Sequence, residues 1–177
     1  SSSGAAPVLM PDGGKYQLAP QEGMACKIPT EGKETRTASL MSYGYNPQIG
    51  SWSPFHGGCY AVLESMAKIV AMGGNVTKIR FTFQEYFERM TSEEKWGKPL
   101  AALLGAYHAQ KETQLPSIGG KDSMSGNFND LTVPPTLVSF AVCVEDAKNI
   151  LSTEFKNEET EVVLIKIPYH KNHVPEF

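Results

Sequence analysis

The segment SWSPFHGGCYAVLESMAKIVAMGG, residues 51–74, carries the clearest structural signal in the chain. Ser53 can cap a helix N-terminus, and Pro54 suits the first helical position because an N–H group has no partner there. Glycines at positions 73 and 74 tolerate a left-handed backbone and end the helix. Between these ends, apolar side chains recur at helical spacing and form one stripe: Cys59, Val62, Leu63, Met66, Ile69 and Val70. The segment therefore predicts an amphipathic helix that packs on a core.

Strand and helix signals alternate around this segment. Predicted strands cover residues 38–45, 76–83, 116–119, 136–144 and 161–167. Further predicted helices cover residues 84–90, 93–114 and 144–151, and residues 46–54 form a turn and a loop. In the helix over 93–114, Leu100, Leu103, Leu104 and Tyr107 lie on one stripe, and Pro99 is tolerated only in the first turn. This order predicts an α/β (α+β) fold with helices covering at least one face of a sheet.

Composition and charge exclude several classes of function. The chain has 177 residues, of which 41% are hydrophobic, and this suits one globular domain or one domain plus part of another. A net charge of -3 argues against nucleic acid and anionic membranes as partners. No apolar run approaches the roughly 20 residues of a membrane-spanning helix, and no signal peptide is evident. We therefore expect a cytoplasmic protein.

Cysteine and histidine give no strong indication of a metal or nucleophile site. The three cysteines lie far apart without CxxC spacing, which favours buried thiols over a disulfide framework or a zinc site. His170 and His173 form an HxxH that could hold a metal only if other ligands converged on it. A solvated tail is the competing interpretation.

The loop predicted over Gly119–Ser125, GGKDSMS, is the first candidate site. Its glycines allow close approach of a ligand, Lys121 can neutralise a phosphate, and Asp122 can hold a divalent ion. The GxxxxGK[ST] spacing of a P-loop is absent. On composition alone, a glycine-rich turn with solvated charges is an equal alternative.

The start of the helix over residues 54–72 is the second candidate site. Free N–H groups at a helix N-terminus attract phosphate, glycines 57 and 58 would let a ligand come close, and His56 could donate to it. Glu64 lies about three turns further along, where it is either a metal ligand or an ordinary solvated glutamate. We expect packing of Val62 and Met66 against Ile118, which would bring Glu64, Lys121 and Asp122 to a shared rim.

Five segments of the chain resemble a known enzyme family. They are MSYGYNP, the segment over 51–74, FTFQEYFERM, KWGKPLAALLGAYHAQ and IGGKDSMSGNFNDLTVPPTLVSFAV. They resemble the second synthetase-like half of the large, single-chain phosphoribosylformylglycinamidine synthase, and the resemblance covers about Cys26 to Ile167. The resemblance implies the fold of aminoimidazole ribonucleotide synthetase, in which an N-terminal α/β domain joins its strands to those of another copy in a barrel. It also implies a division into a flexible lead-in (1–23), the N-terminal domain (24–143) and the truncated start of a C-terminal domain (144–177).

The family resemblance also implies a reaction, ligands and site residues. Such an enzyme converts formylglycinamide ribonucleotide, glutamine and ATP to the amidine, with glutamate, ADP and phosphate as by-products. The second half of the family holds an auxiliary ATP or ADP with Mg²⁺. By this resemblance, Lys121, Asp122 and Ser123 are nucleotide-binding residues, Glu64 is a metal ligand, and no residue of this chain is catalytic.

Two positions depart from the family pattern. Gln48 stands where the catalytic half has a histidine, so a group that titrates near neutral pH is replaced by an amide. Lys68 stands where some members have an asparagine that ligates the metal, and its charge would oppose Mg²⁺. We expect a segment that is inactive alone, that is structural or binds an auxiliary nucleotide, and that self-associates or contacts the other domains of the enzyme. The alternative is a scaffold or dimerisation module that binds no nucleotide.

Overall fold

A mixed six-stranded sheet organises the protein, whose computed structural model describes residues 6–166 and 168. Its strands are β1 (Ala6–Leu9), β4 (Gly23–Lys27), β5 (Thr37–Gly44), β6 (Arg80–Tyr86), β7 (Ser117–Ser123) and β10 (Thr136–Asp146). The spatial order is β1-β4-β5-β10-β6-β7. Neighbours are antiparallel except β6 and β7, which are parallel. Two small hairpins pair β2 (Asp12–Gly13) with β3 (Ala19–Pro20) and β8 (Asn127–Phe128) with β9 (Leu131–Thr132).

The helices are α1 (Pro47–Trp52), α2 (Pro54–Ala71) and α3 (Glu93–Thr113). The prediction for α2 is confirmed at both ends: the Ser53 side chain accepts from the backbone N–H of His56, and Gly73 has φ of 87°. The loop predicted before α2 is wrong, because Asn46 caps a further helix, α1. None of the helices in the described residues is long and apolar enough to cross a membrane.

The core lies between α2 and one face of the sheet. Leu40 of β5, Phe81 of β6 and Ala141 of β10 are fully buried on this face, as period-2 alternation requires. Within this core, the hydroxyls of Ser65 in α2 and Ser139 in β10 lie 2.9 Å apart and form a hydrogen bond. The opposite face of the sheet, here called the open face, exposes large apolar side chains. They include Met24, Met41 and Tyr43.

Helix α3 packs with a different face from the stripe of leucines. Its buried residues are Pro99, Ala102, Gly105, Ala106 and Ala109, whereas Leu100, Leu103, Leu104 and Tyr107 are 43–62% exposed. The small residues face α2 because the two helices lie very close: a Cβ on Gly105 would come within 1.8 Å of the Phe55 carbonyl oxygen. Pro99 lies inside the helix and not in its first turn, which corrects a second expectation.

Several predicted elements differ from the structure. Residues 84–90 are not a helix, because β6 continues to Tyr86 in register with β10 and β7. Residues 144–151 are not a helix either, since β10 reaches Asp146 and only a short 3-10 turn follows. Residues 161–166 are exposed and form no strand, because no neighbouring strand pairs with them in the described part of the chain. His170 and His173 lie outside the described residues.

Candidate functional site

The predicted Gly119–Ser125 loop is largely the edge strand β7. Its pairing with β6 places Lys121 beside Gln84, Asp122 beside Glu85, and Ser123 beside Tyr86. Successive strand residues point to opposite faces of a sheet, so Asp122 faces away from Lys121 and Ser123. The strand thus divides the three predicted nucleotide-binding residues between the two faces.

Lys121 and Ser123 lie on the open face, where they interact with each other. The ammonium group of Lys121 donates to the Ser123 hydroxyl over 3.0 Å and sits 4.2 Å from the ring centre of Tyr86. Both interactions are solvent-exposed and hold the cation against the sheet. A phosphate on this face would meet a positioned lysine and a hydroxyl.

Asp122 faces Glu85, a residue that the sequence prediction missed. Glu85 is 1% exposed, and no hydrogen-bond donor among the described residues reaches either of its carboxylate oxygens. Burial, followed by the charge of Asp122 and the hydrogen bond that a protonated Glu85 makes with Asp122, raises the pKa of Glu85 to about 8. Strand alternation could have revealed this residue. Phe81, Phe83 and Glu85 lie on the same face of β6, so a carboxylate occupies a position where the pattern predicts an apolar side chain.

Glu64 is engaged by the backbone and by a lysine. Its carboxylate accepts a hydrogen bond from the Tyr45 N–H over 3.0 Å and lies 2.9 Å from the ammonium of Lys68. The same ammonium is 3.0 Å from Glu22 and 4.7 Å from the ring centre of Tyr43. Partial burial would lower the pKa of Lys68, but the hydrogen bonds and charges of Glu64 and Glu22 outweigh it and raise it. A protein cation therefore occupies the position beside Glu64.

Glu64 and Asp122 lie too far apart to bind one ion. Glu64 reaches the end of β5, and β10 and β6 separate that strand from β7. Three inter-strand spacings amount to about 14 Å. The expected contact of α2 with Ile118 is wrong, because Ile118 is 72% exposed at the sheet edge. Only an extended ligand, such as a nucleotide, could touch both carboxylates.

The N-terminus of α2 is closed by other helices. The Gly57 N–H donates to the Ser53 carbonyl, and His56 Nδ1 lies 2.8 Å from the Ser53 hydroxyl. A Cβ on Gly57 would collide with Gly50 of α1, and one on Gly58 with Ala102 of α3. These glycines serve helix packing, not ligand approach. Gln48 is exposed on α1.

The described residues contain no group of three or more histidine, cysteine or acidic side chains that could hold a metal by themselves. At Glu64 the residues do not fit Mg²⁺, because Lys68 already neutralises the carboxylate. At β7 the donor set is two carboxylates, Glu85 and Asp122. Mg²⁺ in proteins is commonly held by one or two carboxylates together with the phosphates of a substrate. The residues at β7 therefore fit a metal–nucleotide complex better than a bare metal.

Comparison with known proteins identifies the architecture. No family model matches the sequence. The structure is similar to Thermotoga maritima PurL complexed with ADP, with a TM-score of 0.67 and 16% identity over 86% of this chain and 23% of that one. It is also similar to phosphoribosylformylglycinamidine synthase II from T. maritima, with a TM-score of 0.64 and 15% identity over 75% of this chain and 21% of that one.

A further similar structure is AaThiL complexed with AMPPCP and TMP. Its TM-score is 0.51 at 12% identity, over 75% of this chain and 38% of that one. The chain thus spans less than a quarter of the length of the two PurL chains above. The mixed sheet and covering helices confirm the predicted α/β class. The protein has the aminoimidazole ribonucleotide synthetase-like fold that PurL and ThiL share.

Proposed function

We propose that the chain is a segment of a phosphoribosylformylglycinamidine synthase, taken from its second synthetase-like half. The observation that carries the proposal is the structural likeness to PurL over most of the chain, combined with the GGKDSMSG…VPPTLVSFAV string. In the structure, that string forms β7 and β10, which flank β6 in the sheet.

The proposed whole enzyme is an ATP-dependent carbon–nitrogen ligase of purine biosynthesis in the cytoplasm. Formylglycinamide ribonucleotide, ATP and glutamine would be its substrates, and the remaining domains of the polypeptide would be the partners of this segment. In this family ATP activates the amide oxygen, and ammonia from glutamine then displaces phosphate. No residue of this chain is proposed to act in that chemistry, so the segment alone should be inactive.

The role proposed for this segment is structural, with an auxiliary nucleotide as its ligand. Lys121 and Ser123 would contact phosphate oxygens from the open face. Asp122 would hold Mg²⁺ when a nucleotide brings it. Glu64 is retained as a proposed metal ligand only for a state in which Lys68 has moved away, since the two groups now form an ion pair.

The proposed domain division keeps a lead-in over 1–23, a synthetase-like domain over 24–143, and the start of a further domain from 144. Hydrogen bonds of the sheet cross both proposed boundaries. β1 (Ala6–Leu9) pairs with β4, and β10 continues to Asp146. A soluble core for experiments should therefore run from the start of β1 to the end of β10.

A scaffold that binds no nucleotide is the second candidate, and the Glu64–Lys68 ion pair favours it. The two candidates differ in one measurable property. A ligand that binds only the native state must raise its thermal stability. A rise in the melting temperature with ADP and Mg²⁺ supports the nucleotide-binding role, whereas an unchanged value supports the scaffold.

Genetic complementation tests the proposed family. The complete polypeptide containing this segment should restore growth without added purines to a bacterial strain that lacks the synthase. The same polypeptide with Gly105→Asp should not restore growth, because the substitution forces a charged side chain between α2 and α3. A matched variant, Gly97→Asp, adds the same side chain where nothing lies within 4 Å and should still complement. Failure of the unaltered polypeptide to complement contradicts the proposal.

A further inference from the structure

Glu85 is an anomaly among the buried side chains. Its carboxyl group is almost completely removed from water, and no hydrogen-bond donor among the described residues reaches either oxygen. A buried polar group without a donor is unfavourable, and more so when it is charged. A positively charged partner for these oxygens would therefore stabilise the ionised form of Glu85.

Asp122 is the charged residue that acts on Glu85, and its side chain is exposed to solvent. The two residues are direct partners in the parallel pairing of β6 and β7, so their side chains share one face. β7 is the edge strand of the sheet, and Asp122 is exposed. A small ion could therefore reach Glu85 past Asp122 without disturbing the central strands.

The lysine of β7 and two lysines at the start of α3 interact with groups other than Glu85 and Asp122. Lys121 contacts Tyr86 and Ser123 on the opposite face. Lys95 and Lys98 both pair with Glu88, at 2.9 and 2.6 Å. No ion pair in the described part of the chain therefore involves Glu85 or Asp122.

We infer that Glu85 and Asp122 together form a binding site for a hard divalent cation at the edge of the sheet. Two carboxylates supply part of the coordination shell, and water or phosphate oxygens of a bound ligand complete it. This is the ligand set with which Mg²⁺ is usually held. The cation would also supply the partner that the buried oxygens of Glu85 lack.

The inference extends the proposed function, because a cation here would lie on the strand that carries Lys121 and Ser123. It does not require the proposed function to be right, since two carboxylates can bind a metal ion without nucleotide. The site is also separate from Glu64, which lies across three inter-strand spacings. The experiment can therefore use the metal alone.

The test is a titration of the 177-residue chain with Mn²⁺, followed by the electron paramagnetic resonance signal of the free ion. Asp122→Asn and Glu85→Gln should each weaken Mn²⁺ binding by about tenfold or more, because each replaces one of two carboxyl ligands with an amide. Asp130→Asn, which alters an exposed carboxylate between β8 and β9, is the control and should bind Mn²⁺ like the unaltered chain. Glu64→Gln tests whether the ion binds at the predicted Glu64 site instead. Circular dichroism confirms that each variant is folded.

Three results would overturn the inference. They are no Mn²⁺ binding by the unaltered chain, equal binding by all variants, and loss of binding in Glu64→Gln alone. The last result would place the metal at the predicted Glu64 site instead. A fourth result would separate the two proposals. If Mn²⁺ binds at Glu85 and Asp122, but ADP does not raise the melting temperature with or without Mn²⁺, the cation site is supported and the nucleotide-binding role is contradicted.

Discussion

Lys68 lies between the carboxylates of Glu64 and Glu22 and against the ring of Tyr43, with only 16% of its side chain exposed. In this position its ammonium group supplies the positive charge that a metal would otherwise bring to Glu64. Replacing Lys68 with methionine keeps most of the unbranched side chain but removes the ammonium group, which leaves the two carboxylates without a cation. A divalent ion then becomes the available counter-charge.

We predict that Lys68→Met gains binding of Mg²⁺ and ADP at Glu64. The melting temperature of the variant should be lower than that of the unaltered protein without ligand, and it should rise when Mg²⁺ and ADP are added. Lys111→Met, which removes an exposed lysine from α3, serves as the control and should show neither change. If Lys68→Met gains no Mg²⁺-dependent stabilisation, Glu64 is not a metal ligand.

The cysteines are predicted to differ in reactivity because their burial differs. Cys59 is 1% exposed, and burial raises the pKa of its thiol to about 11. Burial likewise raises the pKa of the Cys143 thiol. Cys26 is partly exposed on β4. Since the thiolate is the reactive form, a thiol reagent at mildly alkaline pH should label Cys26 quickly and the other two only after denaturation; rapid labelling of all three would contradict the packing described.

At the scale of elements, the close contact of α2 and α3 depends on glycine. Gly105→Ala should lower the free energy of unfolding by about 1–3 kcal/mol, because the added methyl group meets the Phe55 carbonyl and forces the helices apart. Gly97→Ala is the matched control in the same helix, where nothing lies within 4 Å. It should raise that free energy by up to about 1 kcal/mol through helix propensity. Urea denaturation measures both, and equal effects would show that α3 does not pack tightly on α2.

The sequence predicts the elements whose determinants are local. Ser53, Pro54 and Gly73 determine the ends of α2 through contacts within one turn, and the apolar run of β10 is equally self-contained. When the buried face of an element depends on a partner that is distant in sequence, local patterns give the wrong face. The leucines of α3 outweigh its alanines in any hydrophobicity pattern, yet the alanines face α2 because close approach requires small side chains.

The candidate site shows the same limit. Lys121, Asp122 and Ser123 were predicted as one loop, but pairing with β6 makes them a strand and separates them onto two faces. The pairing joins segments that are more than 30 positions apart in the chain, so no local pattern reveals it. Glu85 was missed for a related reason: the predicted strand stopped at residue 83, one step before the carboxylate that shares its phase.

At the scale of the whole molecule, the open face and α3 both expose large apolar side chains. The open face presents Met24 beside Met41 and Tyr43 beside Phe140 on adjacent strands, and α3 presents its leucine stripe. A sheet face with large apolar side chains is the surface expected to pair with another sheet. We therefore predict that the isolated chain self-associates through the open face.

Sedimentation velocity on two variants, one with a substitution in the open face and one with a substitution in α3, shows which surface mediates self-association. Met41→Lys puts a charge at the centre of the open face and should shift the chain to monomer, because a charge buried without a partner in the interface is strongly unfavourable. Leu104→Lys puts the same charge on the stripe of α3 and should leave the association unchanged. The reverse pattern would assign the interface to α3. A monomer at all concentrations in the unaltered chain would contradict self-association through the open face.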